Sequence, residues 1–323
     1  MAPGLTSFNA VRVVGFMLVR NEEDVIEASI RHNLRSLDAI TVVDHGSDDA
    51  TPEILASLAR EGLPIQVSRD DSLELRQAEV TTAEVRRLLA EGADLAIPID
   101  ADEFLRMPSR ARFEQVVAGA NPAHHLAMTW LTYLPALEGG DIVARLRHAR
   151  RLSTERHGVY KVIVRRLLLD TPSAEIVTGN HIVRMNQGES RLDHEAVSGD
   201  VAALAHVPIR SAGQFTAKVA VGTLARRLAA IPDKGISFHW EEEFDALLAG
   251  QALTRERLTA IAANYSVRPE RRLAPSQVRW IEDPFIADIA LLYTPQRPPN
   301  PLARILAFGE RVAAEVARTT GGL

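Results

Sequence analysis

The sequence contains no cysteine, and aromatic residues make up only 5% of its 323 residues. Without cysteine, disulfides, thiolate metal sites and cysteine nucleophiles are excluded. Charge of one sign is also lacking: 37 Lys plus Arg stand against 42 Asp plus Glu, a net charge of −5. That balance offers no general attraction for nucleic acid or anionic lipid. No apolar run approaches the roughly 20 residues of a membrane span. The first ten residues carry no basic region ahead of the Val11–Val19 run, which Arg12 and Gly15 interrupt. The run therefore reads as a core strand rather than a signal peptide. A reducing compartment fits the missing thiols, so the expected location is cytoplasmic, with no membrane span and no nucleic-acid partner.

What is present is an ordinary globular composition, 46% hydrophobic and 24% charged, long enough for one large domain or two smaller ones. The first hundred residues alternate between strand and helix periods. Val11–Val19, Ala39–Asp44, Leu63–Ser68 and Ala93–Ile99 are short apolar runs, rich in β-branched residues, that suit buried strands. Between them, Glu22–Leu37, a segment from Thr51 to about Arg60 and Leu73–Glu91 have helical spacing, with Thr51-Pro52-Glu53 reading as N-cap, N1 proline and first-turn acid. This βαβαβαβ order implies a parallel sheet, in which ligands bind beyond the carboxyl ends of the strands. Asn21, Asp44 and Asp100 each fall at such an end, so the three are expected to converge. After Phe104 the pattern changes to strands at His125–Leu134, Tyr160–Leu168 and Glu175–Val183. A basic stretch, Arg145 to Arg156, reads as a solvated loop, with a grip on phosphate or an acidic acceptor as the alternative. Val201–Val207 leads to a helix reaching Ala230, and from about Phe238 the chain reads as helical, through a proline-rich segment to a terminal helix over Leu302–Arg318.

The most informative stretch is Asp100-Ala-Asp102-Glu103-Phe104, where an apolar run delivers two carboxylates to a strand end. Carboxylates so placed can share a hard divalent cation, which prefers oxygen ligands and phosphate co-ligands. Taken with Arg20-Asn21-Glu22, Asp44, Thr178-Gly-Asn-His-Ile-Val183, Ala205-His-Val-Pro-Ile-Arg-Ser211, Lys218 and Ile236-Ser-Phe-His-Trp240, the chain resembles the inverting family 2 glycosyltransferases of GT-A fold, in particular a bacterial branch with an Asp-Ala-Asp-Glu-Phe signature. The resemblance spans about Val13 to Trp240. It implies a Rossmann-like mixed α/β sheet with helices on both faces and a C-terminal helical extension. The corresponding domain reading is 1–237 for the transferase, with a nucleotide half at about 11–104 and an acceptor half at about 105–237, and 238–323 for the extension.

The resemblance also assigns roles. Arg20, Asn21, Glu22 and Asp44 would line the pocket for base and ribose, and Asp100 would reach the ribose or a metal-bound water. Asp102 would bind Mn2+ or Mg2+, with Asp100 and His206 as further metal ligands. Arg210 and Lys218 would neutralise diphosphate. Asp48 and Asp49 read as turn and capping residues. Inversion needs a base for the acceptor hydroxyl, and His181, Asp193 and Glu195 are all eligible. The implied activity is metal-dependent transfer from a nucleoside-diphosphate sugar, most simply a UDP-sugar, to a glycan or small hydroxyl acceptor. The alternative is a non-catalytic nucleotide-sugar-binding or scaffold protein of the same fold. The oligomeric state stays open, a homo-oligomer included.

Overall fold

The computed structural model describes residues 11–185, 192–229 and 238–320. Outside them lie Met1–Ala10, Ser190 and Arg191 of the loop before Asp193, the expected helix end at Ala230, and Ile236 and Ser237. The first half is built from β1 (Val13–Val19), α1 (Ile26–Asn33), β2 (Ala39–Asp44), α2 (Thr51–Arg60), β3 (Ile65–Arg69), α3 (Gln77–Ala90) and β4 (Leu95–Pro98). These four strands are parallel in the order β3-β2-β1-β4. Alternation along β1 explains how the sheet is covered on both faces. Val13, Met17 and Val19 join one apolar core with Ile26 and Ile30 of α1 and Ile54, Leu55 and Leu58 of α2. Val14 and Phe16 join a second with Val85, Leu88 and Leu89 of α3. Side chains of period two thus feed two cores, and near-continuous apolar runs follow.

The rest comprises β5 (Glu103–Arg106), α4 (Arg110–Gly119), β6 (His125–Leu134), α5 (Ile142–Leu146), β7 (Arg150–Leu152), β8 (Tyr160–Arg165), β9 (Ala174–Ile176), β10 (Val183–Met185), β11 (His194–Val197), β12 (Ala203–His206), α6 (Ala212–Arg227), α7 (Phe238–Leu248), α8 (Arg255–Ala263), β13 (Trp280–Glu282) and α9 (Pro301–Thr320). Beyond β4 the sheet continues antiparallel through β8, then β6, β7 and β13. The mixed α/β class expected from the sequence is the class adopted. Strand β12 lies antiparallel to β5 and parallel to β6, pairing His206 with Glu103 on one side and with Thr132 on the other. That pairing carries His206 to the acid motif.

Several local expectations differ from the structure. The single strand expected over Glu175–Val183 is a hairpin, β9 and β10, because Gly179 (φ 85°) and Asn180 (φ 60°) turn the chain. Thr51 is not the cap of α2. Its Oγ1 accepts from Glu22 N at 2.9 Å, while Asp49 Oδ1 accepts from Thr51 N at 2.9 Å. Arg145–Arg156 is not one loop but holds the end of α5 and all of β7. Two of its arginines grip the C-terminal segment, Arg151 meeting Asp283 at 3.0 Å and Arg147 pairing with Asp288, while Arg145 donates to Arg210 O at 2.7 Å.

The C-terminal segment contains a strand as well as helices, and it straps the first half. Helix α9 packs on α6 through Phe308, Val221 and Ala225. Its buried Arg304 reaches Glu23 at 2.8 Å and Asp49 at 2.9 Å. Glu27 of α1 accepts the backbone N–H groups of Leu292, Tyr293 and Thr294 at 2.8, 2.9 and 2.8 Å. Among the described residues no helix is long and apolar enough to cross a membrane.

Candidate active site

The carboxyl ends of β1 and β4 open onto a cleft of about 660 Å3. Its lining includes Arg20, Asn21, Glu22, Asp100, Asp102, His181, His206 and Lys218, so most residues singled out in the sequence meet there. Arg210 and Asp44 are both buried and do not line the cleft. The Asp44 carboxylate accepts from Arg69 at 2.6 Å and from Ser47 N at 3.2 Å, which holds the β2 turn.

Asn21 adopts φ 59°, a left-handed conformation that asparagine tolerates better than most side chains. Its Oδ1 accepts from Asp48 N at 2.8 Å, which fixes the amide orientation and leaves Nδ2 buried without a partner among the described residues. An unpartnered amide donor on a cleft wall is the kind of group a ligand carbonyl satisfies. Arg20 is different. It donates to the carbonyl oxygens of Ser72 (2.8 Å), Leu73 (3.3 Å) and His45, so it braces the wall instead of reaching in. Burial and the nearby Arg311 lower its pKa to about 10.

Asp100 and Asp102 serve two separate networks. Asp100 Oδ2 meets Lys161 Nζ at 2.9 Å, and its Oδ1 accepts from Gln77 (3.3 Å) and Asn180 (3.4 Å). Lys161 also meets Glu103 Oε1 at 2.8 Å, and that oxygen takes Trp130 Nε1 at 2.7 Å. Glu103 is therefore an internal brace, with burial pushing its carboxyl upward against the pull of Lys161. Asp102 is almost fully buried and bonds Lys218, with Arg210 Nη1 at 3.5 Å and His206 Nε2 at 3.7 Å. Burial opposes its charge, but Lys218 and Arg210 hold the carboxyl far below its usual range. Arg210 is held in turn by Asp24 at 2.8 Å and by Glu22. Burial pushes Glu22 up, whereas Arg210 keeps Asp24 low despite its burial.

The pair that could hold a divalent cation is Asp102 and His206. Burial drives His206 well below its ordinary pKa, so the imidazole is neutral, as a metal ligand must be, and its Nε2 faces Asp102 Oδ1. Asp100 is held away by Lys161. Among the described residues no three His, Asp or Glu side chains converge as a closed metal site. One carboxylate and one imidazole leave the remaining positions to phosphate and water, the way Mg2+ is commonly held beside a nucleotide.

The base candidates separate. His181 lines the cleft, and its Nδ1 pairs with Tyr160 O at 2.9 Å, which makes Nδ1 the donor and leaves Nε2 as an acceptor. Burial and Lys161 push its pKa down to about 3. Asp193 and Glu195 are elsewhere. Strand β11 pairs Glu195 with Leu126, six positions along β6 from the Thr132 that faces His206, a separation of roughly 20 Å. Glu195 instead accepts from Asn121 N at 2.8 Å, and Asp193 is exposed beside His124. Neither reaches the cleft.

Sequence reasoning missed Lys161, Gln77, Trp130 and Tyr265. A lysine inside the run Tyr160-Lys-Val-Ile-Val164 was a signal, since a central strand rarely buries an ammonium without a partner. Trp130 stacks on His206 at 4.3 Å between ring centroids, and Tyr265 meets the same ring edge-on at 5.2 Å.

No protein-family model and no curated protein matches the sequence. Among solved structures, glucosyl-3-phosphoglycerate synthase from Mycobacterium tuberculosis in complex with Mg2+ and UDP is 20% identical, over 37% of this chain and 44% of that one, with a TM-score of 0.26. A protein from Desulfovibrio desulfuricans described as a nucleotide-diphospho-sugar transferase is 11% identical over 76% of this chain and 100% of that one, with a TM-score of 0.33. A 4-diphosphocytidyl-2C-methyl-D-erythritol synthase is 18% identical over 48% and 76%, at 0.30. The matched segment spans less than half of the mycobacterial synthase. Likenesses this slight carry no conclusion about the activity of this chain.

Proposed function

We propose that the protein is a GT-A-type glycosyltransferase of the inverting family 2 kind, taking a sugar from a nucleoside-diphosphate donor to a hydroxyl acceptor. The observation that carries this is the cleft, where Asp102 meets His206, Lys218 and the buried Arg210, and where Asp100 and Asn21 line the same space. In this reading Asn21 and Glu22 take base and ribose, Asp100 takes a ribose hydroxyl, and Lys218 lies beside the diphosphate. Asp102 and His206 would hold Mn2+ or Mg2+. A cation bound there would supply positive charge to a departing diphosphate. In the transfer, the acceptor oxygen bonds the anomeric carbon as the bond to diphosphate oxygen breaks on the opposite side. His181 Nε2 accepts the hydroxyl hydrogen bond and takes the proton as the new bond forms. An imidazole held at about pKa 3 is a weak base, so it takes that proton only from a hydroxyl already losing it to bond formation.

One observation favours a second reading, a binding or scaffold protein. The carboxylates on the cleft wall, Glu22, Asp100 and Asp102, are each bonded to a cation, so none is free to act as a base. Release of nucleoside diphosphate from a panel of nucleotide sugars separates the two. Metal-dependent release that Asp102→Ala abolishes supports transfer. Tight donor binding with no release under any condition supports the scaffold.

A further inference from the structure

The cleft has a second, cationic edge. Arg268 and Arg271 both line it and are both exposed, on the short turn after α8. Other cleft cations are already engaged: Lys161 by Asp100 and Glu103, Lys218 by Asp102, and Arg20 by three backbone carbonyls. Arg268 and Arg271 have no carboxylate partner among the described residues. Arg268 lies 5.7 Å from the centroid of the Phe238 ring, and the Arg271 guanidinium lies 3.5 Å from where a Cβ on Gly158 would stand. They therefore sit against two different walls of the same opening.

The turn that carries them is rigid and anchored to the reaction centre. Asn264 clamps it by accepting from Leu273 N at 2.7 Å and donating to Leu273 O at 3.2 Å. Ser266 takes φ 56°, a conformation a non-glycine residue adopts only when its surroundings impose it. Tyr265, immediately before, is buried against the His206 ring and bonded to Trp240 Nε1 at 3.1 Å. Two guanidiniums with no carboxylate partner among the described residues, at the open side of a cleft, are suited to hold an oxyanion.

Resting on the function proposed above, we infer that the acceptor is itself anionic, a hydroxyl compound bearing a phosphate or carboxylate that Arg268 and Arg271 hold at the cleft edge. In protein saturated with UDP and Mg2+, glucose 6-phosphate, glucuronate and glucose are titrated by calorimetry against wild type and the R268A/R271A double variant. At least one of the two anionic sugars is expected to bind about tenfold or more tighter than glucose, a charge-assisted preference that the double variant loses. Which of the two is preferred separates phosphate from carboxylate. UDP affinity is expected to be the same in both proteins. Equal binding of all three sugars to wild type, or a preference that survives in the double variant, overturns the inference while leaving the donor site standing. A double variant that loses UDP affinity would assign the arginines to the donor and overturn it too. Failure of UDP to bind wild type would instead remove the function on which it rests.

Discussion

Lys161 Nζ stands 2.8 Å from Glu103 Oε1 and 2.9 Å from Asp100 Oδ2, and only 1% of the lysine side chain is exposed. One buried ammonium thus joins an internal brace to a cleft residue. Removing one partner of such a pair leaves uncompensated buried charge, which costs about 3–5 kcal/mol. Lys161→Met is expected to lower unfolding free energy by that order in denaturant titrations, and Lys161→Met with Glu103→Gln to recover part of it. Equal stability of wild type and Lys161→Met would show that the pair is not buried as described.

The terminal helix bears on the nucleotide side through a comparable contact. Arg304 touches Glu23 and Asp49, and Asp49 in turn accepts from Glu23 N at 3.2 Å, two residues from Asn21. Arg304→Met is expected to destabilise the fold by about 3 kcal/mol or more and to weaken UDP binding, because the turn carrying Asn21 loses its anchor. Reduced stability with unchanged UDP affinity would confine α9 to a packing role.

Acid stability should report the buried histidines. His125 is fully buried, accepts Arg165 N at Nδ1 (3.1 Å), and burial pushes its pKa from 6.5 to about 3. The folded chain refuses a proton that the unfolded chain accepts. The contribution is therefore complete above about pH 6.5 and is lost as pH falls toward 3. The slope approaches about 1.4 kcal/mol per pH unit. His125→Asn keeps an acceptor for Arg165 N but cannot titrate, so its stability should fall less steeply between about pH 6 and pH 4. Identical slopes in the two proteins would mean that His125 gains a proton without unfolding.

The parallel half of the sheet was legible because its strands are uninterrupted apolar runs and its helices carry clear periods. Of the three strand ends expected to converge, Asn21 and Asp100 meet on the cleft, whereas Asp44 turns to Arg69 and Ser47 instead. What stayed hidden depended on long-range pairing. Nothing near Lys161 in the chain says that it meets Asp100 and Glu103, and β12 brings His206 to the acids only through its place between β5 and β6. Asp193 and Glu195 looked eligible as bases by residue type, but β11 pairs with the wrong end of β6 for that role. The segment after Phe238 read as a helical extension, yet its Tyr265 lines the cleft. Its contact with His206 is one of tertiary packing, which has no local signature.

In the proposed function Asp102 lies at the diphosphate end of a nucleotide site. Titration of UDP with and without Mn2+, into wild type and Asp102→Asn, tests it most directly. UDP is expected to bind wild type at least about tenfold tighter when Mn2+ is present, and Asp102→Asn, which removes the anionic side chain but keeps its volume, is expected to lose that difference. Wild-type protein that binds no UDP in either condition, or a Mn2+ effect that persists undiminished in Asp102→Asn, would contradict it.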